Sequence, residues 1–192
     1  MSCPLFDLAI EPLACKIRNN PLIEGINVPT ARQNPKIAMF ADNTTLFLNE
    51  SDRLNVVQET LDHWCKVSGT KFNSEKTEII PIGTKEYRAE VIATRKINRL
   101  DREAIHINIH ISRDREAVRS LGAWIGNHTN ATAPWEPILD IIKKDLDRWG
   151  RNKPTLYGRK IIAQVVIGGR TQFLTKAQGM PSSIKKALIK IT

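Results

Sequence analysis

Apolar residues in this chain fall on two different periods, and Gly and Pro mark where one gives way to the other. A helical period buries one stripe of a helix, whereas alternation buries one face of a strand, so the succession of periods limits the folds open to the chain. Leu5, Leu8, Ala9, Leu13 and Ile17 fit a helix over residues 5–19, which Pro12 is expected to kink or interrupt. Residues 19–35 are rich in Asn and Pro and read as loop. Lys36–Phe40 is apolar and extended, Ala41-Asp42-Asn43-Thr44 suits a turn, and Thr45–Leu48 returns as the second arm of a hairpin. Ser51 is a good N-cap for a helix carrying Leu54, Val57, Leu61 and Trp64, which Gly69 stops.

Residues 71–80 read as a turn leading into a strand, and residues 84–103 are charged and weakly patterned. Ile105, Ile107, Ile109 and Ile111 alternate with His106, Asn108 and His110, which predicts the clearest strand in the chain. Ser112–Glu116 turns, and Ala117–Ile125 is expected to be a further strand. Pro134 opens a helix with Trp135, Ile138, Ile142, Leu146 and Trp149 on one face, closed by Gly150. Residues 157–168 and 182–191 are expected to be further helices, separated by Gly168-Gly169 and Pro181. Helix, hairpin, helix, strands and then helices describe an α+β domain followed by a small helical unit.

The 192 residues suit one domain, or one domain with a small appendage. No apolar run approaches the roughly 18 residues of a membrane helix, and the start does not read as a signal peptide. Without secretion, the Asn-x-Ser/Thr matches at Asn43, Asn49, Asn127 and Asn130 are chance. Cys3, Cys15 and Cys65 are odd in number and widely spaced, which favours reduced thiols inside a cell. Charge is unevenly placed: residues 143–192 hold 12 Lys/Arg against Asp145 and Asp147, while residues 1–142 hold 17 Lys/Arg and 18 Asp/Glu. A basic end on a near-neutral body fits either a polyanionic partner or a solvated helical surface.

Several residues invite chemistry. His106 and His110 lie four apart on one face of the expected strand, but no Cys or carboxylate completes a zinc set nearby, so a solvated polar face is the plainer reading. Trp64 and Cys65 are most simply core, and Trp135 and Trp149 align with an apolar stripe and read as core rather than base-stacking platforms. No P-loop, Rossmann glycine run or Ser/His/Asp arrangement is present. Phe40-Ala41-Asp42-Asn43 sits at the tip of the hairpin, where a tight turn pushes a short carboxylate outward. Asp42 there is either a metal ligand or a residue that shapes the turn.

That tetrapeptide resembles the aromatic-Ala-Asp-Asp motif of reverse transcriptases, with Asn43 in the fourth place. Three other segments are similar to the non-LTR (LINE-type) retrotransposon family, in its order. Pro4-Leu5-Phe6-Asp7-Leu8 looks like the helix after its Gly-Asp-Pro-Leu-Ser turn. Gly69-Thr70-Lys71-Phe72-Asn73-Ser74-Glu75-Lys76-Thr77 looks like its Gly-x-x-x-Asn-x-x-Lys-Thr segment, and Ser120-Leu121-Gly122-Ala123-Trp124-Ile125-Gly126 like its Leu-Gly turn before the thumb. The last of these and Pro134-Trp135-Glu136-Pro137-Ile138 look most like elements of fungal genomes.

The resemblance implies part of a right-hand polymerase: a palm over 1–126, with an antiparallel sheet and packed helices, and a helical thumb over 127–192. It implies RNA-directed DNA synthesis with Mg²⁺ held by Asp42, a catalytic position, and by carboxylates at two further places. One of these is Asn43 here, a degenerate position, because an amide brings no charge to a hard cation. The fingers and the first metal-binding aspartate would precede residue 1. Lys76 would position the incoming triphosphate, or is a plain surface lysine. Gly122 would let the primer backbone approach, or marks a β-bulge. Arg148, Arg151, Lys153, Arg159, Lys160 and Arg170 would grip the phosphates of an RNA–DNA duplex without sequence preference. The expectation is a fragment that no longer polymerises, with a nucleic-acid-binding module retained from the thumb, or a polymerase completed by another polypeptide, as alternatives.

Overall fold

The computed structural model describes residues 3–191 and is an α+β protein in two compact units, residues 1–112 and 113–192. The first unit opens with helix α1 (Cys3–Arg18), which runs through Pro12 without interruption. A proline inside a helix forfeits one ladder bond. The burial of Leu13, Ala14 and Ile17 on the inner face of α1 offsets that loss. Strands β1 (Ile37–Phe40) and β2 (Asn43–Leu46) pair antiparallel, Ile37 with Leu46 and Phe40 with Asn43. Helix α2 (Leu54–Ser68) then lays Val57 against Leu13, Ile17, Ile23 and Ile37. Trp64 packs at the edge of this core and Cys65 is half-buried. Gly69 ends α2 in the left-handed conformation, φ 69°, its N–H donating to the Cys65 carbonyl, as the sequence implies.

The expected cap Ser51 is not the cap. Residue 53 occupies that position with no side-chain bond to the helix, and the Ser51 hydroxyl instead donates to Glu24 Oε2 at 2.9 Å. The neighbouring Asp52 organises this corner. It is 1% exposed, and its carboxylate accepts the backbone N–H groups of Glu24, Gly25 and Asn49 at 2.6, 3.0 and 2.8 Å.

The isoleucine alternation does not make the expected strand. Only β4 (His110–Ile111) is extended and paired, parallel to β3 (Glu78–Ile79). Ile107 is 77% exposed, and the Ile109 N–H turns back to the His106 carbonyl. The cause lies in α3 (Lys85–Thr94), a helix within the weakly patterned stretch. The residue after it, Arg95, takes a left-handed φ of 54° and sends its guanidinium to the carbonyls of Ile105, His106 and Ile109 at 2.6–3.0 Å. Three charge-assisted bonds from one side chain hold the loop in a turn and satisfy carbonyls that a sheet would otherwise pair.

In the second unit, β5 (Val118–Ser120) and β6 (Ala123–Ile125) replace the single strand expected over 117–125. Leu121 at φ 48° and Gly122 at φ 85° form the two-residue turn between them, the arrangement that matches strand twist in tight hairpins. Helix α4 (Glu136–Gly150) follows a 3-10 turn at Ala133–Trp135. The last long helix does not break at Gly168-Gly169. Helix α5 (Leu156–Ala163) passes through a π-turn at Gln164–Gly168 into α6 (Gly169–Gln178). Glycine costs a helix only about 1 kcal/mol per residue, while burying Val166 and Leu174 returns roughly 1.5–3 kcal/mol each. Helix α7 (Ser182–Ile191) closes a core of Trp135, Ile142, Val166, Leu174, Ile184 and Leu188.

The division at 112/113 precedes the expected boundary near 126 because the β5–β6 hairpin packs on α6. Gly122 faces Phe173, and Gln178 Nε2 donates to the Trp124 carbonyl at 2.5 Å. Among the described residues the strands form three separate pairs, one of them parallel, rather than one antiparallel sheet. Each strand has at most four residues, too short to carry a wide sheet.

Candidate nucleic-acid interface

Asp42 stands at the hairpin tip as expected, with its side chain in solvent. The turn is tighter than the four residues read from sequence. Only Ala41 and Asp42 lie between the paired Phe40 and Asn43, so Asn43 begins β2 rather than belonging to the turn. Ala41 takes φ 50°, the left-handed side that tight hairpin turns demand of a central residue. These residues do not fit a two-Mg²⁺ centre: Asp42 brings one carboxylate and Asn43 a neutral amide, both exposed. Among the described residues no three His, Cys, Asp or Glu side chains gather in a way that could hold a metal ion.

Asn73 fixes the turn expected within 71–80, accepting the N–H groups of Glu75 and Lys76 at 3.0 and 3.2 Å. Lys76 is exposed on that 3-10 turn, and no ion pair joins it to Asp42 among the described residues. The histidines do not share a strand face. His106 lies in the turn held by Arg95, and His110 in β4 has Nδ1 3.8 Å from Glu78 Oε1. Gly122 is not a bulge. A Cβ there would meet the Phe173 ring at 3.0 Å, so the turn conformation and the close packing both call for glycine.

The charge follows the units. Residues 113–192 hold 15 Lys/Arg against 6 Asp/Glu, whereas residues 1–112 hold 14 of each, so the whole net charge of +9 belongs to the second unit. Of the six expected phosphate contacts, Arg148 is exposed on the last turn of α4, Arg151 and Lys153 in the following turn, and Lys160 on α5. Arg159 is exposed too, though its Nε donates to the Pro154 carbonyl at 3.3 Å. Arg170 is already engaged, its guanidinium paired with Asp145 of α4. It is therefore less free for a phosphate than sequence alone indicates.

Trp149 departs from the core reading. Trp135 on the same stripe is 1% exposed, but Trp149 is 49% exposed, because the helices packed on α4 leave its final turn uncovered. It borders an open cleft of about 440 Å³ shared with Asp145, Arg148, Asn152, Val165 and Arg170. The sequence clue was the run Arg148-Trp149-Gly150-Arg151-Asn152, where a basic, turn-forming segment surrounds the last apolar residue of the stripe. No helix among the described residues is long and apolar enough to cross a membrane. No protein-family model matches the chain.

Proposed function

We propose that the chain is a palm-and-thumb segment of a non-LTR retrotransposon reverse transcriptase that binds nucleic acid through its phosphates and does not polymerise DNA as it stands. The single observation that carries the binding reading is the confinement of the entire net charge to residues 113–192, with Arg148, Arg151, Lys153, Arg159 and Lys160 exposed. A polyanion gains affinity from such a surface by releasing counterions, with no need of base-reading groups. The ancestry is supported by the aromatic-Ala-Asp-Asn tetrapeptide at the tip of a two-stranded hairpin, with Asp42 in solvent. Asn43, where the resemblance expects a second carboxylate, argues against metal-assisted phosphoryl transfer by this chain alone.

Salt titration of the full chain on an RNA–DNA hybrid tests the binding. About four simultaneous phosphate contacts give a slope of log K against log salt near −4, and the same slope on unrelated sequences. A flat response, or no binding at low salt, overturns it. Primer extension with Mg²⁺ and nucleotides tests the chemistry; extension by the purified chain overturns the claim that it does not polymerise.

A further inference from the structure

We infer that the cleft at the end of α4 is a seat for an unpaired nucleobase, so that the second unit engages single-stranded nucleic acid as well as duplex. This rests on the nucleic-acid-binding reading above but concerns a different surface chemistry. An exposed tryptophan at the border of a concave site is the usual platform for an unstacked base, because every base has a π-face to lay on it. Trp149 supplies that face at 49% exposure, and Val165 supplies an apolar wall. The π-turn at Gln164–Gly168 places Val165 and Val166 at the cleft, a local widening of a helix often found where something binds. The volume of about 440 Å³ is of the size that takes a small planar group.

The polar groups are arranged for a strand rather than for a protein. The Asn152 amide carries both a donor and an acceptor, which suits the edge of a base. Arg148 in the cleft and Arg151 beyond it are free of salt bridges among the described residues and suit the flanking phosphates. The carboxylate of Asp145 is neutralised by Arg170, so the one acidic group lining the cleft does not repel a phosphate there. A duplex keeps its bases stacked and cannot use such a seat, so strandedness is the discriminating property.

The test measures binding of the full chain to a fluorescein-labelled oligothymidylate and to a duplex of equal length. Trp149→Ala is expected to weaken single-strand binding roughly tenfold while duplex binding stays within about twofold, and Trp149→Phe to retain most of the single-strand affinity. Because Trp64, Trp124 and Trp135 also emit, the Trp149 signal is taken as the difference between the wild-type chain and Trp149→Phe, and oligothymidylate is expected to quench it. This second measurement needs no folded alanine variant. Equal losses on both probes, or equal losses for Ala and Phe with no quenching, overturn the base seat and leave phosphate binding standing. No binding of either probe by the wild-type chain overturns both.

Discussion

The Asp52 carboxylate accepts the backbone N–H of Gly25 at 3.0 Å, tying the head of α2 to a loop 27 residues earlier. The same carboxylate takes the amides of Glu24 and Asn49, so one buried side chain satisfies three donors from two separate stretches of backbone.

Removing it leaves the buried Gly25 amide and the part-buried amides of Glu24 and Asn49 without that partner. Bonds to charged groups contribute about 1.5–3 kcal/mol each, and they are not additive. Asp52→Ala is expected to destabilise the chain by about 3 kcal/mol or more, read by urea unfolding with helical circular dichroism. A loss below about 1 kcal/mol would show that solvent reaches these amides freely.

Glu90 and Arg99 form a two-pronged pair, Nε to Oε1 at 2.5 Å and Nη2 to Oε2 at 2.6 Å. Hydrogen bonding from the Arg99 guanidinium holds the Glu90 carboxyl below the usual range for glutamate. A depressed folded pKa contributes stability that is present above the unfolded value, about 4.3, and is lost as pH falls through the folded value. The Tm gap between the wild-type chain and Arg99→Gln should therefore exist at neutral pH and close in acid. A gap that stays constant on acidification would assign it to packing of the arginine stem instead.

Ala41 occupies the left-handed region at φ 50°. An L-residue pays about 1–2 kcal/mol there, and glycine returns part of that as unfolded-chain entropy. Ala41→Gly is expected to stabilise the chain by roughly 0.5–1 kcal/mol, visible as a higher Tm. A destabilised variant would mean that the Ala41 methyl packs against something worth more than the strain.

The sequence alone determined what local rules determine. Apolar residues at helical spacing placed α1, α2 and α4, and Pro181 marked the start of α7. Gly69 ended α2, and Phe40-Ala41-Asp42-Asn43 marked the tip of a hairpin. The exposed basic positions after α4 were legible for the same reason, since charged side chains stay in solvent wherever the chain goes. Tertiary structure decided what depends on partners distant in sequence. The isoleucines of 105–111 alternate like a strand, yet Arg95 claims their carbonyls from ten and more residues away. Gly168-Gly169 looks like a break, yet the burial of Val166 and Leu174 carries the helix across it. Trp149 ends the apolar stripe of α4 that Trp135, in the 3-10 turn just before the helix, begins. Only the arrangement of the neighbouring helices, which cover one and leave the other in a cleft, made the first a surface and the second a core. Periodicity reports which face of a helix is apolar, but how far along that face the neighbours extend is a property of the packed unit.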